Sequence, residues 1–392
     1  MSPAVSNAIA RTPALDTKLP AVGTTIFTVM SALAAEKNAV NLGQGFPDFG
    51  CDPQLLEDVS AAMAAGHNQY PPMPGIPALR EAIAAKIAAL YGHSYRAADE
   101  ITVTAGATQA IITAILAIVR PGDEVIVLEP CYDSYVPNID LAGGKVVRVP
   151  LTPGTFRPDF GRISAAITPR TRAIIINTPH NPSATVWTAA EMRQLEELLA
   201  PTDIFVISDE VYEHMVYGEA KHQSAAAFPG LAARSFIVSS FGKTYHVTGW
   251  KVGYVAAPAP LTAEFRKVHQ FNVFTVNTPM QHALAAYMAD PKPYLELPAF
   301  YQRKRDLFAA GLAKTRLKLL PSEGTYFQCV DISEVSDKSE ADFCLWLTSE
   351  IGVAAIPLSA FYGDGFDQRV VRFCFAKKDE TLLAALDRLA KL

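Results

Sequence analysis

The sequence predicts an α/β protein with a doubly wound, mainly parallel sheet in a large domain and a smaller α+β domain after it. Three observations support this. Seven short β-branched runs lie between about residues 100 and 260, nearly all apolar, as strands covered on both faces must be. Helical stretches separate them, which suits parallel crossovers. After about residue 290 the texture changes to charged helical segments alternating with isolated strand-like ones.

The apolar, alanine-rich stretch Pro77–Tyr91 reads as a helix closed by Gly92. The strand-like runs follow at Ile101–Thr104, Glu124–Leu128, Lys145–Val149, Ala173–Asn177, Ile204–Ser208, Ser235–Ser239 and Val252–Ala256. Between them Thr188-Ala-Ala-Glu191 is a capping box opening a helix toward Leu199. Beyond residue 290 come a helix at Tyr301–Lys314, a strand at Thr325–Val330 and a helix at Ala341–Ile351. A strand at Val370–Phe375 and a last helix at Glu380–Leu392 complete the reading. The resulting division is 1–45 as an arm that joins the small domain, 46–290 as the large domain and 291–392 as the small one.

Half of the 392 residues are hydrophobic, 19% are charged and the net charge is −5. Such a chain buries a core and is not intrinsically disordered. Its longest uncharged apolar run, Ile111–Val119, is far short of the ~18 residues a membrane helix needs. The longest basic cluster, Arg303-Lys304-Arg305 beside Asp306, reads as a solvated helix face, so no nucleic-acid partner is expected. The first sixteen residues lack a basic-then-apolar leader pattern, and five scattered cysteines form no C-x-x-C pair. The expectation is a cytoplasmic protein without disulfides or a metal site.

Three predicted strands deliver polar residues at their carboxyl ends, where open α/β sheets bind ligands. Ala173–Asn177 leads to Asn181, Ile204–Ser208 leads to Asp209, and Ser235–Ser239 leads to Lys243. Taken singly, Asn181 is also an ordinary turn residue before a proline, and Asp209 an ordinary helix cap. Lys243 follows Ser-Phe-Gly and is flanked by Tyr245 and Trp250, a poor setting for a solvated lysine. A partly desolvated lysine is an amine nucleophile, and a carboxylate beside it suits a pyridinium nitrogen.

Here the chain resembles the class I pyridoxal-phosphate-dependent aminotransferases, of fold type I. The resemblance rests on the lysine motif Ser239–Tyr254, on NTPHNPSATVW (177–187), ISDEVYEH (207–214), TAGATQA (104–110) and NQYPPMPGIPALREAI (68–83). It runs from TTIFTVMSALA (24–34) to CFAKKDETL (374–382), and is strongest toward bacterial methionine aminotransferases, with kynurenine and glutamine transaminases further off.

The resemblance implies pyridoxal 5'-phosphate as cofactor, amino acids and 2-oxo acids as substrates, and a homodimer with shared sites. Lys243 would carry the cofactor and move the substrate proton, Asp209 would protonate the ring nitrogen, and Tyr212 and Asn181 would bind the ring oxygen. Tyr132, otherwise a half-buried core aromatic, would stack on the ring. Gly106, Ala107 and Thr108, otherwise a plain helix start, would cup the phosphate with Ser240 and Lys251. Lys251 departs from the arginine common in the family. Tyr70 would reach the neighbouring subunit's phosphate.

For the substrate, the family pattern selects Arg372 over Arg369 as the carboxylate clamp, although an alternating strand alone leaves Arg372 facing water. Gly43 would let backbone approach the same carboxylate, and Ile26, Phe27 and Phe274 would wall an apolar pocket. The implied reaction moves the amino group of methionine, or of an aromatic or other apolar amino acid, to a 2-oxo acid by a ping-pong route. The alternatives are a cysteine-S-conjugate β-lyase or a kynurenine aminotransferase using the same residues. The Asn181–Pro182 peptide is expected to be cis.

Overall fold

A computed structural model describes residues 15–392; residues 1–14, which include most of the expected leaderless start and part of the arm, lie outside it. Strand β1 is Val40–Asn41. The seven expected runs become β2 (Ile101–Thr104), β3 (Glu124–Glu129), β4 (Lys145–Pro150), β5 (Thr171–Asn177), β6 (Phe205–Asp209), β7 (Ser235–Ser240) and β8 (Gly253–Ala256). They form one sheet in the order β2-β8-β7-β6-β5-β3-β4.

Side-chain alternation covers both faces of this sheet. Ile126, Ile174, Val206 and Ile237 face one core, while Val125, Ile175, Ile207 and Val238 face the other. Each such buried side chain stabilises the fold by roughly 1.5–3 kcal/mol relative to exposure. Strand β8 departs from the expected parallel crossovers and runs antiparallel to both β2 and β7. The segment between β7 and β8 holds only the helical turn Phe241–Thr244 and a 3₁₀ turn at Thr248–Trp250, with no helix to cover the sheet face on a parallel crossing.

The C-terminal part holds β9 (Lys318–Leu319), β10 (Phe327–Asp331), β11 (Val353–Ala354), β12 (Ile356–Pro357) and β13 (Val370–Cys374). Four of these make an antiparallel sheet, β12-β13-β10-β9, and β1 pairs in parallel with β11. The start of the described chain is therefore stitched to its C-terminal third. Strand β10 begins two residues later than expected because Thr325 sits in the left-handed region at φ 64°. The helix expected at 341–351 starts at Glu340 under a Ser339 cap, widens at Leu347–Ile351 and stops at left-handed Gly352.

The capping box at Thr188 and Glu191 is present, and Gly92 ends the helix Pro77–Tyr91 in the left-handed conformation. The basic cluster is only in part a solvated face: Arg303 and Asp306 are exposed, but Lys304 turns inward. On the helix Leu297–Leu312, Lys304 is buried and its Nζ donates to the Lys377 carbonyl at 2.7 Å and to Asp379 at 3.0 Å. The rings of Phe49 and Phe300 lie about it at 5.0 and 5.1 Å. No helix among the described residues is long and apolar enough to cross a membrane.

One buried ion pair ties the helix Pro77–Tyr91 to the sheet. Lys86 Nζ donates to Glu213 Oε1 at 2.6 Å and to the Tyr254 hydroxyl at 2.8 Å, while Ser239 and Tyr91 hydroxyls also donate to Glu213. Burial pushes the Glu213 carboxyl up, but the Lys86 ammonium and these donors outweigh it and hold the group well below the usual carboxylate range. Replacing Lys86 by Met strands that carboxylate. Urea unfolding at pH 7 should show a loss of about 3–5 kcal/mol. Because the folded-state value is depressed, the wild-type advantage should fade as pH falls below the ordinary carboxylate value.

Candidate active site

Strands β5, β6 and β7 end side by side, at Asn177, Asp209 and Ser240. Beyond them the chain turns abruptly into short loops, so polar side chains gather at one sheet edge. A cleft of about 290 Å³ opens there. It is lined on the large-sheet side by Gly106, Ala107, Thr108, Tyr132, Asn181, Asp209, Tyr212, Ser240, Lys243 and Lys251, all predicted from sequence. Phe27 and Arg372 line it from the other side.

Asp209 is buried, with Oδ2 accepting from the Tyr135 hydroxyl at 2.7 Å and Oδ1 from the Val211 N–H at 3.3 Å. Burial raises its carboxyl to about 6 against those two donors. It forms no salt bridge to any described residue, so a buried acid faces the cleft without a cation of its own. Lys243 follows on the turn Phe241–Thr244. Burial brings its ammonium down to about 8, and the nearby charges of Arg372 and Lys251 push the same way. A neutral, nucleophilic amine is thereby accessible close to neutral pH.

At the start of the helix Gly106–Ile118, Gly106 has φ +79°, and a Cβ there would come within 3.2 Å of Lys251 Nζ. Only glycine lets the helix N-terminus sit this close to a lysine ammonium. Lys251 is itself left-handed, at φ 54°. Free N–H groups and an ammonium converging at one point make an anion cradle. The helix ends at Ile118, where Val119 turns extended.

Arg372 lies on β13 between β10 and β12, and is 1% exposed, so it does not face water. Its Nη1 donates to Asn181 Oδ1 at 2.5 Å and its Nη2 to the Gly43 carbonyl at 3.3 Å, while Nε has no partner. The Phe327 ring lies 3.9 Å from the guanidinium carbon. Burial lowers the guanidinium from its ordinary value, and no carboxylate among the described residues pairs with it. Arg369 instead pairs with Asp337 at 3.8 Å, outside the cleft.

Some sequence-predicted residues stand elsewhere. The Gly43 N–H is already given to Asn41 Oδ1 at 3.0 Å, so this glycine meets the arginine through its carbonyl and offers no free donor. Ile26 begins a helix and packs against the main core without lining the cleft. Tyr70 is 82% exposed and Phe274 41%; their rings meet edge to face at 5.3 Å on the surface, away from this chain's own cleft. The Asn181–Pro182 peptide is cis, as are Glu129–Pro130 and Thr178–Pro179. His180 is buried, with Nδ1 2.6 Å from the Ser183 hydroxyl.

Sequence reasoning missed Tyr135, Asn177, Tyr326 and Phe327. Asn177 bridges two strand ends, donating to the Asp209 carbonyl at 2.8 Å and accepting from the Asn181 N–H. Tyr135 sits three residues after Tyr132, a spacing that alone could have placed both hydroxyls on one side of a turn. Among the described residues no group of three or more His, Cys, Asp or Glu could hold a metal ion.

Fold and cleft together define the class: the fold-type I transferases, which work with pyridoxal phosphate. The comparisons with known proteins agree. The model of the family "Aminotransferase class I and II" matches residues 37–389. Methionine aminotransferase of Escherichia coli (strain K12) is 56% identical over 96% of this chain and 97% of its own. The probable N-succinyldiaminopimelate aminotransferase DapC of Mycobacterium tuberculosis is 42% identical, over 96% and 98%. The solved structure of YbdL from Escherichia coli, described as having a methionine aminotransferase function, superposes with a TM-score of 0.96 at 55% identity, covering 97% of this chain and all of that one. The chain belongs to the class I and II aminotransferase family, and it is an aminotransferase.

The raised pKa of Asp209 makes a stability prediction. The folded chain holds that proton more tightly than the unfolded chain, so ionising it costs stability as pH rises from about 4 through 6. Asp209→Asn should therefore gain on the cofactor-free wild type across that window, by roughly 2 kcal/mol at pH 7, while losing amino transfer. Urea unfolding at pH 4 and pH 7 checks this, and a stability difference independent of pH would refute it.

Proposed function

We propose that this aminotransferase uses pyridoxal 5'-phosphate to move the amino group of methionine, or of another apolar or aromatic amino acid, to a 2-oxo acid. The observation that carries the reading is Arg372, a buried guanidinium without a carboxylate partner, which lines the same cleft as Lys243 and Asp209. The residues fit the cofactor: a buried acid lacking a cation, and an anion cradle at Gly106 and Lys251.

When bound, pyridoxal phosphate supplies a carbonyl that condenses with amines and a ring that withdraws electrons. Asp209 would keep a proton on the ring nitrogen, its buried carboxylate being stabilised by a cationic partner. Backbone N–H groups at Gly106–Thr108, with Ser240 and Lys251, would hold the phosphate. Tyr132 would cover the ring, and Tyr212 and Asn181 would hydrogen-bond its oxygen. Arg372 would orient the substrate carboxylate, with Asn181 accepting from the same guanidinium. Lys243 would hold the proton taken from the substrate α-carbon and return it to the cofactor carbon. Phe27 and Phe327 give the apolar wall that a thioether or aromatic side chain needs.

The methionine preference is supported by the 56% identity to a methionine aminotransferase. A panel of amino acids with several 2-oxo acids tests it, methionine being expected among the best donors. Lys243→Ala should abolish both multiple turnover and the cofactor's visible absorbance, and retention of both would sink the reading. Pyruvate and ammonia formed from a cysteine conjugate without an acceptor would point to β-lyase chemistry.

We further propose a cytoplasmic homodimer. Its support is the exposed pair Tyr70 and Phe274, with Phe271, three residues before Phe274, 90% exposed, and five free cysteines of which four are buried. Sedimentation equilibrium should give a dimer at micromolar concentration. A fully active monomer would overturn this.

A further inference from the structure

Lys243 Nζ makes two hydrogen bonds among the described residues, both to groups outside the large sheet. It donates to the Tyr326 hydroxyl at 2.7 Å and to the Gly45 carbonyl at 3.2 Å. The Tyr326 hydroxyl in turn donates to the same Gly45 carbonyl. The three polar atoms form a closed triangle. Because the phenol's single proton is committed to Gly45, its oxygen can only accept from the lysine.

That commitment matters for a neutral amine. The two acceptors lie side by side at Nζ, so Tyr326 and Gly45 hold the amine from one direction. No described residue donates to Nζ, so its lone pair is left without a protein donor. A hydroxyl free to rotate could donate to that lone pair and quench it.

Tyr326 is built to hold still. It is fully buried, and its ring meets Tyr212 edge-on at 5.2 Å and Phe327 at 4.9 Å. Its carbonyl accepts from the Phe375 N–H at 2.9 Å, and left-handed Thr325 aims the preceding turn. Gly45, opposite, leaves only 3.1 Å between a notional Cβ and the Phe327 ring, so that loop cannot drift inward. Tyr326 thus joins three parts of the chain: the loop after β1, the turn after β7 and the segment leading into β10.

We infer that Tyr326 is a positioning residue for the Lys243 amine, holding it from one side together with the Gly45 carbonyl and leaving its lone pair without a protein donor. This rests on the proposed use of Lys243 as the proton carrier. The group would act each time the amine is free, as it is while the cofactor carries the substrate's amino group.

The test uses full-length wild type and Tyr326→Phe, which keeps the ring and loses the hydroxyl. With methionine as donor, kcat should fall by ~10–100-fold while KM stays within about threefold, the signature of a misplaced reacting group. Competitive acetylation of Lys243 in protein loaded with pyridoxamine phosphate, read by peptide mass spectrometry across pH, gives a readout separate from activity. Losing an acceptor that favours the charged amine should move the labelling midpoint to lower pH in Tyr326→Phe. A structural control is the same change in a Lys243→Met background, where it should shift the unfolding midpoint less than in wild type.

An unchanged labelling midpoint with kcat within twofold would overturn the inference. So would an equal loss of stability in both backgrounds, which marks Tyr326 as packing alone. If wild type transfers no amino group from any donor, the functional reading fails, yet a Tyr326-dependent midpoint at Lys243 would still uphold the positioning role.

Discussion

Because β3, β5, β6 and β7 run parallel under apolar layers on both faces, their polar side chains can be solvated or paired only where the strands end. That constraint explains why Asn177, Asp209 and Ser240 fall at three adjacent carboxyl ends. The Lys243 turn that follows β7 is one helical turn long, and β8 returns antiparallel to β7. The antiparallel return has its own effect at the site. A Cβ on Gly253 of β8 would lie 2.6 Å from the Ser239 carbonyl and 3.2 Å from Gly106, so the bare strand lets the helix start settle against the sheet edge.

The cleft gathers charges that the fold does not neutralise. Asp209 and Lys243 are both displaced by burial toward their neutral forms, and Arg372 lies among aromatic rings with Nε unpaired. Each is unfavourable in the empty fold and becomes favourable when a complementary charge arrives. Elsewhere the chain completes its buried charges. Glu213 has Lys86 and three hydroxyls, and Lys304 has a carbonyl and Asp379. The contrast between completed and uncompleted buried charge separates scaffold from site. Such sites are held at some cost to stability by a framework rigid enough to bear it.

Much of this was legible before any coordinates. All seven large-sheet strands lie within a few residues of the predicted runs, since an apolar β-branched run between turn residues has few other fates. Thr188 and Glu191 announce their capping box because both partners lie within one turn. Lys243 and Asp209 stand out because a charge directly after a buried strand requires a reason. Lys304 shows the opposite failure: its neighbours Arg303 and Arg305 suggest a wet face, but its amine reaches Lys377 and Asp379, more than seventy residues away. Local pattern carries no information about such a distant acceptor.

The sequence by itself determined the strand set, the alternation of apolar runs with helices, and the small group of polar residues stationed at strand ends. These follow from periodicity and from the cost of burying a charge, both local properties. Only the tertiary structure decided what those residues face. It turned Arg372 inward from an alternating strand, occupied the Gly43 N–H with Asn41, and left Tyr70 and Phe274 on the surface. It also brought Tyr135 to Asp209, and Tyr326 with Gly45 to Lys243. Those pairings join segments 74, 83 and 198 residues apart, so neither segment's own sequence announces its partner.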